Sequence, residues 1–306
     1  MKKRYLLKIV TIIIFSVINN VSALQFSADD IYTNNNGVEM THIQITNLKN
    51  LGYKEDEIRD MFQDEFDENK NLEGKVVSSV TKYYKTETYI PTAQDTTTSI
   101  NYFNSDLSIS NSYEITKEEY EDIDNQVMTL GLEENPVNTE YKEMTASIIK
   151  VNNRYRYVNT VRWKKLPTWQ QRDIIGIGFD NKVYGISSTK RLTAYFTYDN
   201  TSDSNATTTG TWELSPTGYG VSFKWPNPSF GAARGFLVRM YFEVEKNTTD
   251  PINVLNAYGN YRHGKSWDNN LICSFSVSYI IGVGANFEDK YDNISTSQAT
   301  LTGIQW

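Results

Sequence analysis

The chain has 306 residues, 39% of them hydrophobic, and carries 37 acids against 30 Lys and Arg for a formal net charge of −7. That acidic balance argues against nucleic acid and against simple electrostatic docking on anionic membranes. A single cysteine, Cys273, excludes an internal disulfide, and two histidines, His42 and His263, exclude a multi-histidine metal site.

The first residues, MKKRYLLKIVTIIIFSVINNVSA, have the form of a secretory signal peptide. Lys2, Lys3 and Arg4 precede an apolar run, and Val21-Ser22-Ala23 offers small residues for cleavage after Ala23. Cleavage would remove four cations and no acid, leaving 26 cations against 37 acids and a net charge of −11. Asn19 and Asn20 end the apolar run short of the ~20 residues a spanning helix needs. No second long apolar stretch follows, so the mature monomer is not expected to span a membrane.

Residues 24–40 read as polar and irregular. From Thr41 to Asn71, Ile45, Leu48 and Leu51 and then Ile58, Met61, Phe62 and Phe66 recur at helical spacing, with Gly52 as a C-cap between two helices. Eight acids between Glu55 and Glu68 read as a solvated helix face, because the loop pattern of a calcium-binding EF-hand is missing. His42 is expected at the surface of the first helix.

After Gly74 the composition turns to strand formers. Val76 to Ile90 is rich in Val, Thr and Tyr, and Asp106 to Ile115 alternates. Thr116 and Glu119 have capping-box spacing, which predicts a short helix over 117–125. Residues 130–141 read as a linker. Asn152-Asn153 predicts a two-residue hairpin turn between strands at 144–151 and 154–163. Tyr155, Tyr157, Val161 and Trp163 should face one way, and Arg154, Arg156 and Arg162 the other. Further strands are predicted at 172–179, 182–187, 192–198, 211–214, 218–225, 236–244, 253–263, 271–281 and 299–306, with 199–210 a polar loop. Cys273 falls in one of them as a buried small hydrophobe. Gly282 to Asn286 reads as a turn or bulge.

Many short strands with polar turns, and no alternation with long helices, predict a mainly β fold. The expectation is an antiparallel β-sandwich or open barrel over 74–306, behind a signal peptide at 1–23 and a short helical segment at 24–73.

No HExxH, CxxC or Gly-x-Ser-x-Gly motif occurs. No catalytic residue, cofactor or metal is therefore expected. Two carboxylates can hydrolyse a glycoside without histidine; Asp173, Glu213, Glu243 and Glu245 are the strand acids available for a glycan hydrolase. The stretch AYGNYRHGKSW, residues 257–267, gathers aromatics, cations and His263 around Gly259 and Gly264. Tyr261, Arg262, His263, Lys265 and Trp267 form a candidate ligand surface, since rings stack on ligands and cations bind carboxylates. The alternative is a tyrosine ladder packed between sheets with His263 in a satisfied hydrogen bond. Parity along 256–263 puts Ala257, Gly259, Tyr261 and His263 on one face.

Three segments, LKNLGYKEDEIRDMFQDEFDEN, YEITKEEYED and NAYGNYRH, in that order behind a signal peptide, resemble a group of uncharacterised secreted proteins of Gram-positive bacteria. The resemblance implies export and a β-rich body, and no catalytic residues. AYGNYRH is also similar to a segment of small secreted β-sandwich bacteriocins. The expected function is a secreted or surface-associated non-enzymatic protein that binds an extracellular protein or glycan. The rival readings are a β-pore-forming or bacteriocin-like toxin, with 101–115 as a pore hairpin, and the glycan hydrolase.

Overall fold

The computed structural model describes residues 31–89, 109–125, 138–167, 172–198, 206–227, 233–264, 275–278, 282–285, 291–292, 294, 296–304 and 306. The expected signal peptide, Cys273, Lys265, Trp267 and residues 101–108 of the expected pore hairpin lie outside them. In chain order the elements are β1 (Ile31–Thr33), β2 (Glu39–Thr41), α1 (His42–Asn50), α2 (Glu55–Arg59), α3 (Gln63–Asn69), β3 (Gly74–Tyr89), β4 (Ile109–Ile115) and α4 (Lys117–Glu121). They continue with β5 (Asn138–Val151), β6 (Arg154–Lys165), β7 (Arg172–Phe179), β8 (Val183–Gly185), β9 (Arg191–Thr197), β10 (Thr211–Ser215) and β11 (Gly218–Lys224). The last are β12 (Gly235–Lys246), β13 (Val254–His263), β14 (Phe275–Ser278), β15 (Gly282–Ala285) and β16 (Ser297–Thr302).

The fold is mainly β and antiparallel. A five-stranded sheet runs β10-β11-β7-β13-β16, and a seven-stranded path runs β4-β3-β5-β6-β12-β8, with β9 also on β12. Their facing sides share one apolar core, from Met144, Tyr157, Val161, Trp163, Val238 and Phe242 on one sheet to Ile175, Ile177, Phe223, Ala257 and Tyr261 on the other. Strict alternation puts these residues there. On β6, Tyr155, Tyr157, Val161 and Trp163 do face the core. Asn159, on the same parity, is fully buried, and its amide donates to Gly176 O at 3.1 Å and Asn260 O at 2.9 Å across the sheets. Asn152 takes the positive φ of 51° that the β5–β6 hairpin demands.

The opposite face of the seven-stranded sheet is covered by α1–α3. Leu48, Leu51, Ile58, Met61 and Phe66 pack on Ile149, Val151, Val158 and Tyr241. Thr41 caps α1: Gln44 N donates to Thr41 Oγ1 at 3.3 Å, and Thr41 N donates to Gln44 Oε1 at 2.8 Å. Gly52, at φ +81°, ends the first helical run as expected.

Four expectations change. Residues 31–33 and 39–41 are a small hairpin, β1–β2, rather than irregular chain. The acids of 55–68 are not simply a solvated face: Glu57, Asp60 and Glu65 are buried, Glu57 against Arg162 of β6 and Arg239 of β12, Asp60 against Arg59 and Glu65 against the Tyr53 hydroxyl. Arg239 Nη1 lies 3.2 Å from Glu57 Oε1, Arg162 pairs with Asp56, and Arg156 Nη1 donates to Asn69 Oδ1 at 2.6 Å. The expected linker ends in strand, since β5 starts at Asn138; Glu140 and Lys142 on its core-facing side break the hydrophobic alternation and hide it. Gly282–Ala285 is a strand paired with β14, not a turn.

Candidate functional site

Between the two sheets, a cluster of ionisable groups lies at one end of the sandwich, where β5, β6, β7 and β13 converge. β5 supplies Glu140 and Lys142, on the same parity as core residues Met144, Ala146 and Ile148. β7 supplies Asp173. β13 supplies Tyr261 and His263, and the segment before β16 supplies Asp292. None of these six side chains belongs to a residue more than 2% exposed.

Register brings them together. His263 pairs with Asp173 across β13–β7, and Lys142 pairs with Trp163 across β5–β6, just past a shift at Tyr141/Lys142. His263 Nδ1 lies 2.8 Å from Asp173 Oδ1, and Gly264 N donates to that same oxygen at 3.1 Å. Tyr261 Oη donates to Asp173 Oδ2, and Trp163 Nε1 donates to Tyr261 Oη at 3.1 Å. His263 N donates to Asp292 Oδ1 at 2.7 Å, while Lys142 Nζ donates to Asp292 Oδ2. Asp292 N returns a bond to His263 O at 3.0 Å. The Trp163 ring covers Lys142 Nζ at 4.3 Å and stands edge-on to His263 at 4.8 Å.

Burial sets the protonation here, and specific partners correct it. Burial alone would lower the His263 imidazole; Asp173, with Glu140 and Asp292 behind it, outweighs this and raises it above its ordinary value. Burial would raise the Asp292 carboxyl, yet Lys142 and His263 hold it below the usual carboxylate range. For Glu140 burial wins: it pushes the carboxyl up despite the pull of His263 and Lys142. Burial and then Asp173 push the Tyr261 phenol well up, which keeps it a donor. Among the described residues, Glu140 Oε2 and His263 Nε2 have no hydrogen-bond partner.

Of the expected ligand surface, Tyr261 and His263 are each 1% exposed and belong to this interior cluster, so they present nothing to solvent. Arg262 is half-buried, with Nη1 donating to Asp292 O at 3.4 Å. The reason is parity: Tyr261 and His263 continue the inward face of Ala257 and Gly259. The room that Gly259 and Gly264 provide is taken by the protein itself, by the Asn159 amide and by Arg172 O. Of the strand acids weighed for glycoside hydrolysis, Asp173 is sealed in the core. Glu243 pairs with Arg156 at 3.2 Å and Glu245 with Arg154 at 2.6 Å, both on β12 in the other sheet. Glu213 sits on β10. Sequence reasoning singled out neither Lys142, Glu140 nor Asp292. The signal for the first two is two charges at core parity leading into Met144, Ala146 and Ile148.

A second feature lies on the helical cap. Tyr32, Ile45, Lys49, Glu55 and Ile58 line a surface groove of about 230 Å³. Ile31 and Ile43, on the β1 and α1 elements that supply Tyr32 and Ile45, are 63% and 61% exposed, and Lys49 Nζ bonds Glu55 Oε1 at 2.7 Å in its lining. No helix among the described residues is long and apolar enough to cross a membrane.

No protein-family model and no curated protein matches the sequence. Several solved structures are similar. A collagen-binding domain from a Staphylococcus aureus adhesin aligns at TM-score 0.27 and 7% identity, covering 49% of this chain and 88% of that one. The collagen-binding domain of Erysipelothrix rhusiopathiae surface protein RspB aligns at 0.24 and 3%, covering 55% and 66%. The N-terminal domain of the Streptococcus gordonii adhesin Sgo0707 aligns at 0.27 and 9%, covering 74% and 56%. The likeness is one of β architecture and extends no further.

Proposed function

We propose that the protein is exported and acts, at the cell surface or beyond it, as a non-enzymatic β protein that binds an extracellular protein through its helical cap. The observation that carries this reading is the groove of Tyr32, Ile45 and Ile58, with Ile31 and Ile43 exposed on the same elements, β1 and α1, that supply Tyr32 and Ile45. Large apolar side chains left together in water mark interaction sites more often than they mark nothing. The Lys49–Glu55 pair in the lining supplies one donor and one acceptor for register, as a peptide partner requires. Export is supported by the sequence of residues 1–23. Enclosure of the charge cluster supports a binding role over turnover, because no substrate reaches Asp173 or His263 without opening the sandwich.

The test is retention of the full secreted chain on panels of immobilised matrix proteins and glycans. Ile43→Asp and Tyr32→Ala should abolish retention on the protein ligand and leave the melting temperature unchanged. Variants retained as well as the parent would sink the assignment.

A second reading, pore formation, rests on β3 and β5. They are 16 and 14 residues long, more than the ~10 that a barrel strand needs. Hydroxyl pairs run between β3 and its neighbours, Ser79–Ser147 and Thr81–Thr145 at 2.9 Å and Thr86–Ser112 at 2.8 Å. Dye release from mixed-lipid vesicles by the wild-type chain would favour it; vesicles that stay sealed would remove it.

A further inference from the structure

We propose that Lys142 and Asp292 become joined by a side-chain amide, a covalent staple between the two halves of the sandwich. The observation is an amine and a carboxyl in direct contact, 0% and 1% exposed, 150 positions apart in the chain. An ammonium–carboxylate pair so fully enclosed is held at a high desolvation cost. Passing one proton from Lys142 Nζ to the carboxylate removes both charges. The resting state is the ion pair, since Lys142 and His263 hold the Asp292 carboxyl low; the transient neutral pair, an amine against an un-ionised carboxylic acid, is the form that reacts to give an amide.

The surroundings fit that step. Asp292 Oδ1 accepts the His263 backbone N–H, a donor fixed where negative charge would develop as Nζ attacks Cγ. Asp292 Oδ2, on the Lys142 side, is the oxygen that leaves. The Nζ–Cγ bond forms and the Cγ–Oδ2 bond breaks. Of the three ammonium hydrogens, one stays on the amide nitrogen and two depart with Oδ2 as water. Nothing is oxidised or reduced, so no co-reactant is needed. Trp163 lies over Nζ and keeps solvent off it. Water released from so closed a site does not readily return to hydrolyse the product. Glu140, two residues from Lys142 on the same face and with Oε2 unpartnered, is the group placed to carry protons from nitrogen to the leaving oxygen. Its carboxyl is pushed up by burial, which suits a group that must hold a proton there. Asp173 is the positioning residue: it fixes the His263 ring and so the backbone N–H that faces Asp292.

The experiment is peptide mapping by mass spectrometry of the full secreted chain, denatured and digested. The expected product is one branched peptide that contains Lys142 and Asp292 and is lighter by one water than its two parts. Recovery of both residues only in separate linear peptides overturns the staple, whatever any variant does. Lys142→Arg and Asp292→Ala should each abolish the branched peptide. Glu140→Gln should still give a cooperative melt but leave at least half of the chain unlinked. Complete linkage in that variant would overturn the role given to Glu140.

Discussion

On the outer face of the seven-stranded sheet, Arg162 and Arg239 meet acids of α2 and Arg156 meets Asn69 of α3, at an interface with a wet rim. Lys54 and Asp56, which belong to it, keep side chains 50% and 37% exposed. On the inner face, Lys142, Asp173, His263 and Asp292 meet one another with side chains no more than 2% exposed. The outer network is many-to-many: Arg239 alone touches Glu57, Thr160 and Leu51 O and lies 3.9 Å from the Tyr53 ring. The inner one is a chain in which each oxygen has a designated donor. Losing a partner outside leaves alternatives and water; losing one inside leaves a bare charge.

That difference can be tested by removing single members. The largest effect should come from Asp173→Ala, which strips acceptors from Tyr261, His263 and Gly264 at once. We expect a loss of about 3–5 kcal/mol in denaturant unfolding, as for a broken buried pair. A loss under 1 kcal/mol would mean that the inner chain is not cooperative. Next is Glu65→Gln on the outer face. Burial raises the Glu65 carboxyl to about 7, against the pull of Arg239 and Tyr53. The folded state therefore binds this proton more tightly than the unfolded state, and stability falls as pH rises from about 4.5 to 7. The glutamine variant should be more stable than the parent at pH 8, by on the order of 3 kcal/mol, and equal to it at pH 4. Parallel pH profiles for the two proteins would contradict this. The imidazole of His263 gives the inner face the same sign. Its contribution is full below its unfolded value and is lost as pH rises through the raised folded one.

Arg239→Met should cost less, about 2–3 kcal/mol, because Glu57 keeps a second cation, Arg162 Nη2 at 3.5 Å. Limited proteolysis should then cut within residues 31–70 first and spare the sandwich; simultaneous loss of both would show that the cap and sheet unfold as one. The smallest effect expected is from Thr41→Ala, about 1 kcal/mol for a lost N-cap, visible as earlier melting with the inner network unchanged.

The same two faces show what could be read from the chain beforehand. Alternation on β6 and the Asn152-Asn153 turn gave the hairpin its faces, and the helical spacing of Ile58, Met61 and Phe66 gave the cap. Thr116 and Glu119 marked the start of α4. Legibility failed where charge sits at core parity. Glu140 and Lys142 made a strand look like a linker, and Glu57 and Glu65 made a buried face look solvated, because periodicity counts apolar residues and cannot see a partner that arrives from distant sequence. For His263 the parity with Ala257 already pointed inward, whereas its pairing with Asp173 depends on a β7–β13 register that local sequence does not contain. The groove on the cap was missed for another reason: Ile31 and Tyr32 lie in a stretch too short and polar to read as structure.

Asn159 has a further consequence for the shape. Its amide grips two carbonyls, Gly176 O and Asn260 O, that face each other as register partners on β7 and β13. Apolar layers slide over one another at little cost, since a methyl group fits many hollows, but an amide has only two hydrogens to place. If one sheet sheared along the other by a single residue, both hydrogens would meet side chains instead of oxygens. Asn159 thus works as a vernier between the layers. It sets how far one sheet is offset from the other, and through that offset which residues of β5 come to face the chain beside β13.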